Sequence, residues 1–435
     1  MKTPNITYTV HHDLCTGCGI CEGMCPSTAI SFIVTEGTFR PVVNNSLCKN
    51  ENGCHRCFDS CPGVGIDLKS ELFKNAEHKD DKYVGPYLES YVGYSLDTEI
   101  RYHSASGGMI TQFLVWLLDK KYIDGAVVTK FDKKSPLKVK SFIATTREEI
   151  LQAKSSKYSP VVLNDAVIEL KKAQGTRYIV VGLPCHIQGF RKAESLDKRL
   201  RNKIVGHFAI YCSSSRTFKF TDYVLRERGI SIKNVNYLSY RDRGNQGGLV
   251  ASGIDDNGHA FDYYQDYRKY CHPLRSIFVP RRCLLCIDHY GELSDISFGD
   301  INVKPYNEDK IGINSIIVRN LSWNKLLKEC MEDNIIYLDK VDINIINKSQ
   351  PSARMKKLRN AGFVTLLKKL GKKVPIYNED YKGHLTLKVV ILYYINRFQQ
   401  FIGRNENLWF VIKFIKKNHY CPIKKGNSIF ETVEL

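Results

Sequence analysis

The stretch CTGCGICEGMCP, Cys15 to Pro26, places four thiols in eleven residues and closes on proline. Cys15, Cys18, Cys21 and Cys25 fit C-x-x-C-x-x-C-x-x-x-C-P, the run that holds a [4Fe-4S] cubane with three thiolates and lends its fourth to a second cluster. A second block, CKNENGCHRCFDSCP, carries Cys48, Cys54, Cys57 and Cys61 and ends the same way. Its first gap is five residues, which lengthens a loop without moving the other three ligands. The spacing therefore predicts Cys15, Cys18, Cys21 and Cys61 around one cluster and Cys48, Cys54, Cys57 and Cys25 around another. Structural zinc also uses C-x-x-C pairs, but the doubled block with two Cys-Pro endings favours iron. Gly17, Gly19 and Gly23 are expected to let the backbone approach the cluster, and His11, His12 and His55 to be surface residues.

Four further cysteines raise the same chemistry in the middle of the chain. RYIVVGLPC ends at Cys185 and KIVGHFAIYC at Cys212; both read as buried strands with a cysteine at the carboxyl end, where open α/β sheets place their ligands. RRCLLCIDHYGELSDISFGD adds Cys283 and Cys286. These four could hold a third cubane, or Cys185 and Cys212 could be buried thiols of the core. Cys271 competes with Cys212 for the fourth position, while Cys330 and Cys421 read as structural.

Other elements must position these groups. In SASGGMITQFLVWLLDKKYIDGAVVTKF, Ser104 reads as a helix N-cap, and Met109, Ile110, Phe113, Leu114, Leu117 and Leu118 recur at helical spacing. GAVVTKF follows as a strand. Ser106, Gly107 and Gly108 sit at the helix start, where free N–H groups attract phosphate; a plain tight turn is the other reading.

A chain of 435 residues with 43% hydrophobic and 25% charged residues has room for two or three domains and a sizeable core. The N-terminus MKTPNITYTV lacks a secretory apolar run, and the longest purely apolar stretch, VVILYYI, is too short to span a bilayer. A cytoplasmic protein is expected, in which fifteen cysteines mean metal or redox chemistry rather than disulfides. The net charge of +19 is uneven: residues 351–435 hold 17 Lys and Arg against 5 Asp and Glu. No nucleic-acid motif accompanies it. A solvated tail, an acidic partner or a membrane surface would each fit, and LKVVILYYINRFQQFIGRNENLWFVIKFIKK reads as basic and amphipathic.

Taken in order, SASGGMITQFLVWLLDKKYIDGAVV, AKSSKYSPVVL, VVGLPCHIQGFRK, AIYCSSS and RRCLLCIDHYGELSDISFGD resemble the beta subunits of coenzyme F420 (deazaflavin) hydrogenases and formate dehydrogenases. With the N-terminal two-cluster ferredoxin module, the likeness covers about residues 1–330. It implies bound FAD and a third [4Fe-4S] cluster held by Cys185, Cys212, Cys283 and Cys286. It maps flavin contacts onto Ser106, Gly107 and Gly108 and onto Ser156, Lys157 and Tyr158. Gly182 and Pro184 would shape the loop presenting Cys185. His186 is the one candidate for a catalytic group, against a structural histidine, and Asp300 is a turn residue or a functional one. The family includes members that reduce other ring systems, so the substrate does not transfer.

The expected fold is an α+β ferredoxin-like module with two [4Fe-4S] clusters (1–68), followed by an α/β body that binds flavin (83–165) and the third cluster (166–345). A helical basic C-terminal extension (346–435) completes it. The expected function is an iron–sulfur flavoprotein oxidoreductase. It would pass electrons between the clusters and FAD, to or from a deazaflavin or another small organic substrate. A redox protein such as ferredoxin, or a partner oxidoreductase subunit, would exchange electrons with it. The alternatives are an electron-transfer adaptor with no substrate site of its own, and a binding protein whose clusters are structural.

Overall fold

The computed structural model describes residues 4–68, 73, 77–132, 135–245, 247–274, 276–377 and 383–416. Cys421 lies outside them, as do much of the polar stretch 69–82 and the last part of the basic extension.

The body is built on an eight-stranded sheet. Its order is Ile336–Lys340, Glu89–Ser95, Asn314–Val318, Ile296–Asp300, Ile204–Ile210, Tyr178–Gly182, Gly125–Asp132, Ser135–Ala144. The strands Ile296–Asp300, Ile204–Ile210, Tyr178–Gly182 and Gly125–Asp132 run parallel; the flanking strands are antiparallel. The parallel strands are apolar on both faces because helices cover both. Phe113, Trp116 and Leu117 of the Met109–Asp119 helix pack on one face with Phe208, Trp323 and Leu327. On the other face Val167 and Leu170 meet Val180, Ile187 and Phe190.

The helix after SASGG begins at Met109, later than the sequence pattern indicated. Gly108, at φ +75°, takes the N-cap, and Asn314 Oδ1 accepts from Met109 N at 3.2 Å. Ser104 is not the cap; its hydroxyl donates to Ile100 O at 2.6 Å and closes the preceding short helix Thr98–Tyr102. Likewise, Cys185 and Cys212 lie just past their strands. Tyr178–Gly182 ends before Pro184, whose fixed φ starts the helix Pro184–Leu196, so Cys185 falls in a helical first turn.

The N-terminal module carries the hairpin Ile30–Thr35/Thr38–Val43, turned by Glu36 and Gly37, both at positive φ. It is docked hard against the body. Leu163 N donates to Cys18 O at 2.9 Å, Lys192 Nζ to Cys61 O at 2.9 Å, and Ile20 and Met24 join the body's core. Two of the three glycines serve this contact. A Cβ on Gly19 would sit 2.7 Å from Leu163 N, and one on Gly23 2.6 Å from the Val167 side chain.

The segment expected to begin an extension at 346 is part of the body. Gln350 Nε2 donates to Asp300 O at 2.7 Å, Lys357 pairs with buried Glu292 at 2.6 Å, and Ile376–Tyr377 pairs in parallel with Gly65–Ile66 of the N-terminal module. Ile346, Ala353, Ala361 and Phe363 are buried with body residues as well.

Candidate functional site

The cysteines gather in three groups of four. Cys15, Cys18, Cys21 and Cys61 are buried together at 5–6% exposure. Burial, with Cys61 and Cys15 alongside, pushes the Cys18 thiol up to about 12, and the same causes raise Cys21 and Cys61. Cys25, Cys48, Cys54 and Cys57 line a small cavity under Asn5, Ile30 and Val43. There burial, then the charges of Cys25, Cys54 and Cys48, lift Cys57 to about 11. In the third group, burial comes first and the thiols of Cys212, Cys286 and Cys283 next in holding Cys185 well above its ordinary range. Cys212 is raised to about 12 by burial. Thiols crowded in this way become thiolates together only if a cationic centre compensates them, which is what iron supplies. Among the described residues no three His, Cys, Asp or Glu side chains converge as the ligands of one metal ion would.

The groups stand in a row. Cys57 is a charge neighbour of Cys21, and Cys18 of Cys185. The third group opens into a cavity of about 360 Å³. This cavity lies at the carboxyl edge of the parallel strands, between Thr129, Gly182, Tyr211 and Gly299. It is within the size range of small-molecule sites.

Ser106 and Gly108 line the cavity at the start of the Met109–Asp119 helix, and Ser156, Lys157 and Tyr158 line it from the loop after the helix Arg147–Gln152. Gly107 does not; it packs against Gly93 O and Asn314, where a Cβ would meet backbone at 2.7 Å. Lys157 turns its ammonium onto the carbonyls of Lys154 (2.8 Å) and Ser155 (3.0 Å). Burial draws it down to about 7, so it can carry or release a proton near neutrality. Ser155 holds φ +69°, and its hydroxyl donates to Arg241 O, fixing the loop.

His186 also lines the cavity, but its chemistry is that of a cap. Its Nδ1 accepts from Leu183 N at 3.4 Å at the head of its own helix, and burial lowers it to about 4. Asp300 is more than a turn residue: its Oδ2 accepts from Arg241 Nη1 at 2.8 Å, and the guanidinium lies 4.8 Å from the Tyr267 ring. Cys271 stands apart from the third group, 3.4 Å from Arg216 Nη2.

Sequence spacing missed Arg216, Arg241, Tyr267, His289 and Lys356, all of which line the cavity. Lys356 Nζ donates to Cys286 Sγ at 3.3 Å and to Asp288 O at 2.7 Å. Asn360 Nδ2 donates to Cys286 O at 2.9 Å. The two sit at either end of a π-helical turn, Lys356–Asn360, a geometry that recurs where a side chain is re-aimed for function. His289 lies between Cys212 O (3.1 Å) and Gln350 Oε1 (3.2 Å), to one of which its single N–H donates, and burial depresses it to about 3. A rule reading Gly-rich turns and cysteine pairs has no purchase on isolated Lys, Arg and His.

Comparison with known proteins bears on the same segments. Two stretches match the family described as coenzyme F420 hydrogenase/dehydrogenase, beta subunit: residues 90–169 match its N-terminal part and residues 175–343 its C-terminal part. The chain belongs to this beta-subunit family. Residues 8–31 match the 4Fe-4S binding domain, a stretch that holds the first cysteine block and stops before Cys48. An uncharacterized protein of Methanocaldococcus jannaschii is 26% identical over 365 residues, 77% of this chain and 91% of that one. The coenzyme F420 hydrogenase subunit beta of Methanothermobacter thermautotrophicus is 27% identical over 268 residues, 58% of this chain and 84% of that one. A chain in the F420-reducing [NiFe] hydrogenase complex from Methanosarcina barkeri superposes with a TM-score of 0.52 at 21% identity. It covers 69% of this chain and 99% of its own length, which speaks for the fold. Both family matches end before Lys356, which reaches Cys286 from beyond them.

Proposed function

We propose that the chain is an iron–sulfur flavoprotein oxidoreductase with two [4Fe-4S] clusters in the N-terminal module, a third held by Cys185, Cys212, Cys283 and Cys286, and FAD in the adjoining cavity. The row of three four-cysteine groups ending at that cavity carries the reading. When bound, the clusters would carry single electrons and FAD would allow exchange in pairs with a small organic substrate, a deazaflavin or another ring system. The chain's own residues have defined tasks. The N–H groups at the head of the Met109–Asp119 helix would hold phosphate, and the charge of Lys157, whose own N–H groups face carbonyls, would offset it. Arg241, fixed by Asp300, would orient an anionic or aromatic group, and the walls would keep water from it. A redox protein in the cytoplasm, ferredoxin or a partner oxidoreductase subunit, would exchange electrons at the second cysteine group.

The test is anaerobic purification followed by iron, acid-labile sulfide and flavin analysis. About twelve irons and one FAD per chain follow from three four-iron clusters. About eight irons without flavin would sink the proposal and leave an electron-transfer adaptor without a substrate site.

A further inference from the structure

Beyond the family-matched residues, the helix Leu387–Arg404 and the shorter helix Phe410–Lys416 lie across the body. Their inner sides are well packed. Tyr393 meets the Phe363 ring at 5.4 Å, Gln400 Nε2 donates to Pro280 O at 3.3 Å, and Ile402, Trp409 and Ile412 join the core under the three-stranded sheet of residues 235–266. The body therefore holds these helices in place with their outer sides uncovered.

That outer side is apolar. Leu387, Ile391, Tyr394, Phe398 and Phe401 are 77, 50, 56, 60 and 55% exposed. At about 100° per residue they fall on one stripe, opposite the buried Tyr393, Asn396 and Gln400. Phe410 and Phe414, one turn apart, are 60 and 65% exposed. Monomeric proteins seldom leave so many large side chains contiguous in water.

Charge decides what covers the stripe. Lys388 and Arg397 accompany it. The one acidic residue between 387 and 416, Glu406, is already engaged by Lys219 at 2.8 Å and Arg226 at 3.0 Å. A protein groove would call for charges of both signs at its rim. Glu36 and Glu227 meet the ends of the two helices through Arg404 (3.2 Å) and Lys413 (3.7 Å), and along the stripe itself the flanking charges are Lys388 and Arg397. An aromatic stripe flanked by cations matches a lipid surface, whose acyl boundary takes the rings while anionic headgroups take the ammonium and guanidinium groups. A helix of 18 residues, about 27 Å long, suits lying in the interface, and no described helix is long and apolar enough to cross it.

We propose that the outer face of Leu387–Arg404 and Phe410–Lys416 is a docking surface for anionic lipid, which holds this protein peripherally on a membrane. The assignment is independent of the cofactors. It is tested by sedimenting the full-length holoprotein with vesicles of phosphatidylcholine alone and of phosphatidylcholine with phosphatidylglycerol in equal amounts. Binding is expected to the anionic vesicles only, and to weaken with salt. The double variant Phe398→Ser/Phe401→Ser should lose on the order of tenfold in partitioning while its melting temperature, iron content and reduction with dithionite stay unchanged. Failure of the wild type to sediment with anionic vesicles would overturn the proposal. So would binding undiminished in the double variant, which is adsorption by charge alone. A soluble dimer that the variant abolishes, without lipid binding, would give the face to a second copy of the chain and overturn it as well.

Discussion

Lys356 Nζ lies 3.3 Å from Cys286 Sγ, buried beside the third cysteine group and also donating to Asp288 O. A fixed positive charge at this range stabilises the more negative, reduced state of whatever the thiolates hold, because water is not there to screen it. Replacing Lys356 with methionine should therefore lower the midpoint potential of one cluster and leave the other two unmoved. A shift of at least about 59 mV corresponds to a tenfold change in the one-electron equilibrium. Lys356→Arg should recover most of it. Electron paramagnetic resonance during a redox titration reads this directly, and equal potentials in the wild type and the methionine variant would remove the tuning role.

Cys212 and Cys271 give a sharp contrast. Cys212 neighbours Cys283 and Cys286, whereas Cys271 pairs with Arg216. Cys212→Ala should lower the iron content by about four per chain, and Cys271→Ala should leave it unaltered. The reverse pattern in iron analysis would exchange their roles.

Lys157 should make flavin retention depend on pH. Burial holds its folded pKa at about 7, below its ordinary value of 10.5. Below that folded value the group is a cation that attracts phosphate; above it the group is neutral. FAD affinity of the flavin-stripped chain should fall by roughly tenfold between about pH 6 and about pH 8. Lys157→Met should bind weakly and with a flat profile. Fluorescence titration measures both. The same shift acts on stability in the opposite sense: between the folded and unfolded values the unfolded chain holds the extra proton, so this lysine's contribution to stability rises with pH.

Gly19 adopts φ +84° and approaches Leu163 N. Gly19→Ala combines backbone strain with a clash, and should cost about 1–3 kcal/mol. Because Cys18 O and Leu163 N meet beside it, limited proteolysis should release the N-terminal module sooner in the variant. An unchanged cleavage rate and melting temperature would show that the interface yields.

The sequence was most legible where the chemistry is local. The first cysteine block states its chemistry by interval alone, and the strand Gly125–Asp132 and the helix containing Phe113, Leu114 and Leu117 announce themselves by period. It was least legible where contacts join distant residues. Ser104 is the better cap on paper; Asn314, some two hundred positions away, favours a start at Met109 by accepting from Met109 N. The glycines of the first cysteine block read as room for a cluster, yet Gly19 and Gly23 make room for residues 162–167. Lys356 and Lys357 belong to a basic run with Arg354 and Arg359, and nothing in their flanks marks these two as the ones turned inward.

The short parallel pairing of Gly65–Ile66 with Ile376–Tyr377 bears on how the molecule is made. Its two partners are separated by about three hundred positions, and Tyr377 also clasps Arg282 and Leu285 O around the third cysteine group. During synthesis the first eight cysteines would leave the ribosome long before their cover exists. Closure of so distant a pair is slow relative to local folding, which leaves an interval in which the thiols stand open to assembly factors. Biogenesis would thus be timed by geometry: the strand that seals the N-terminal module is among the last to arrive, and it closes beside Cys61 and beside the third cysteine group at once.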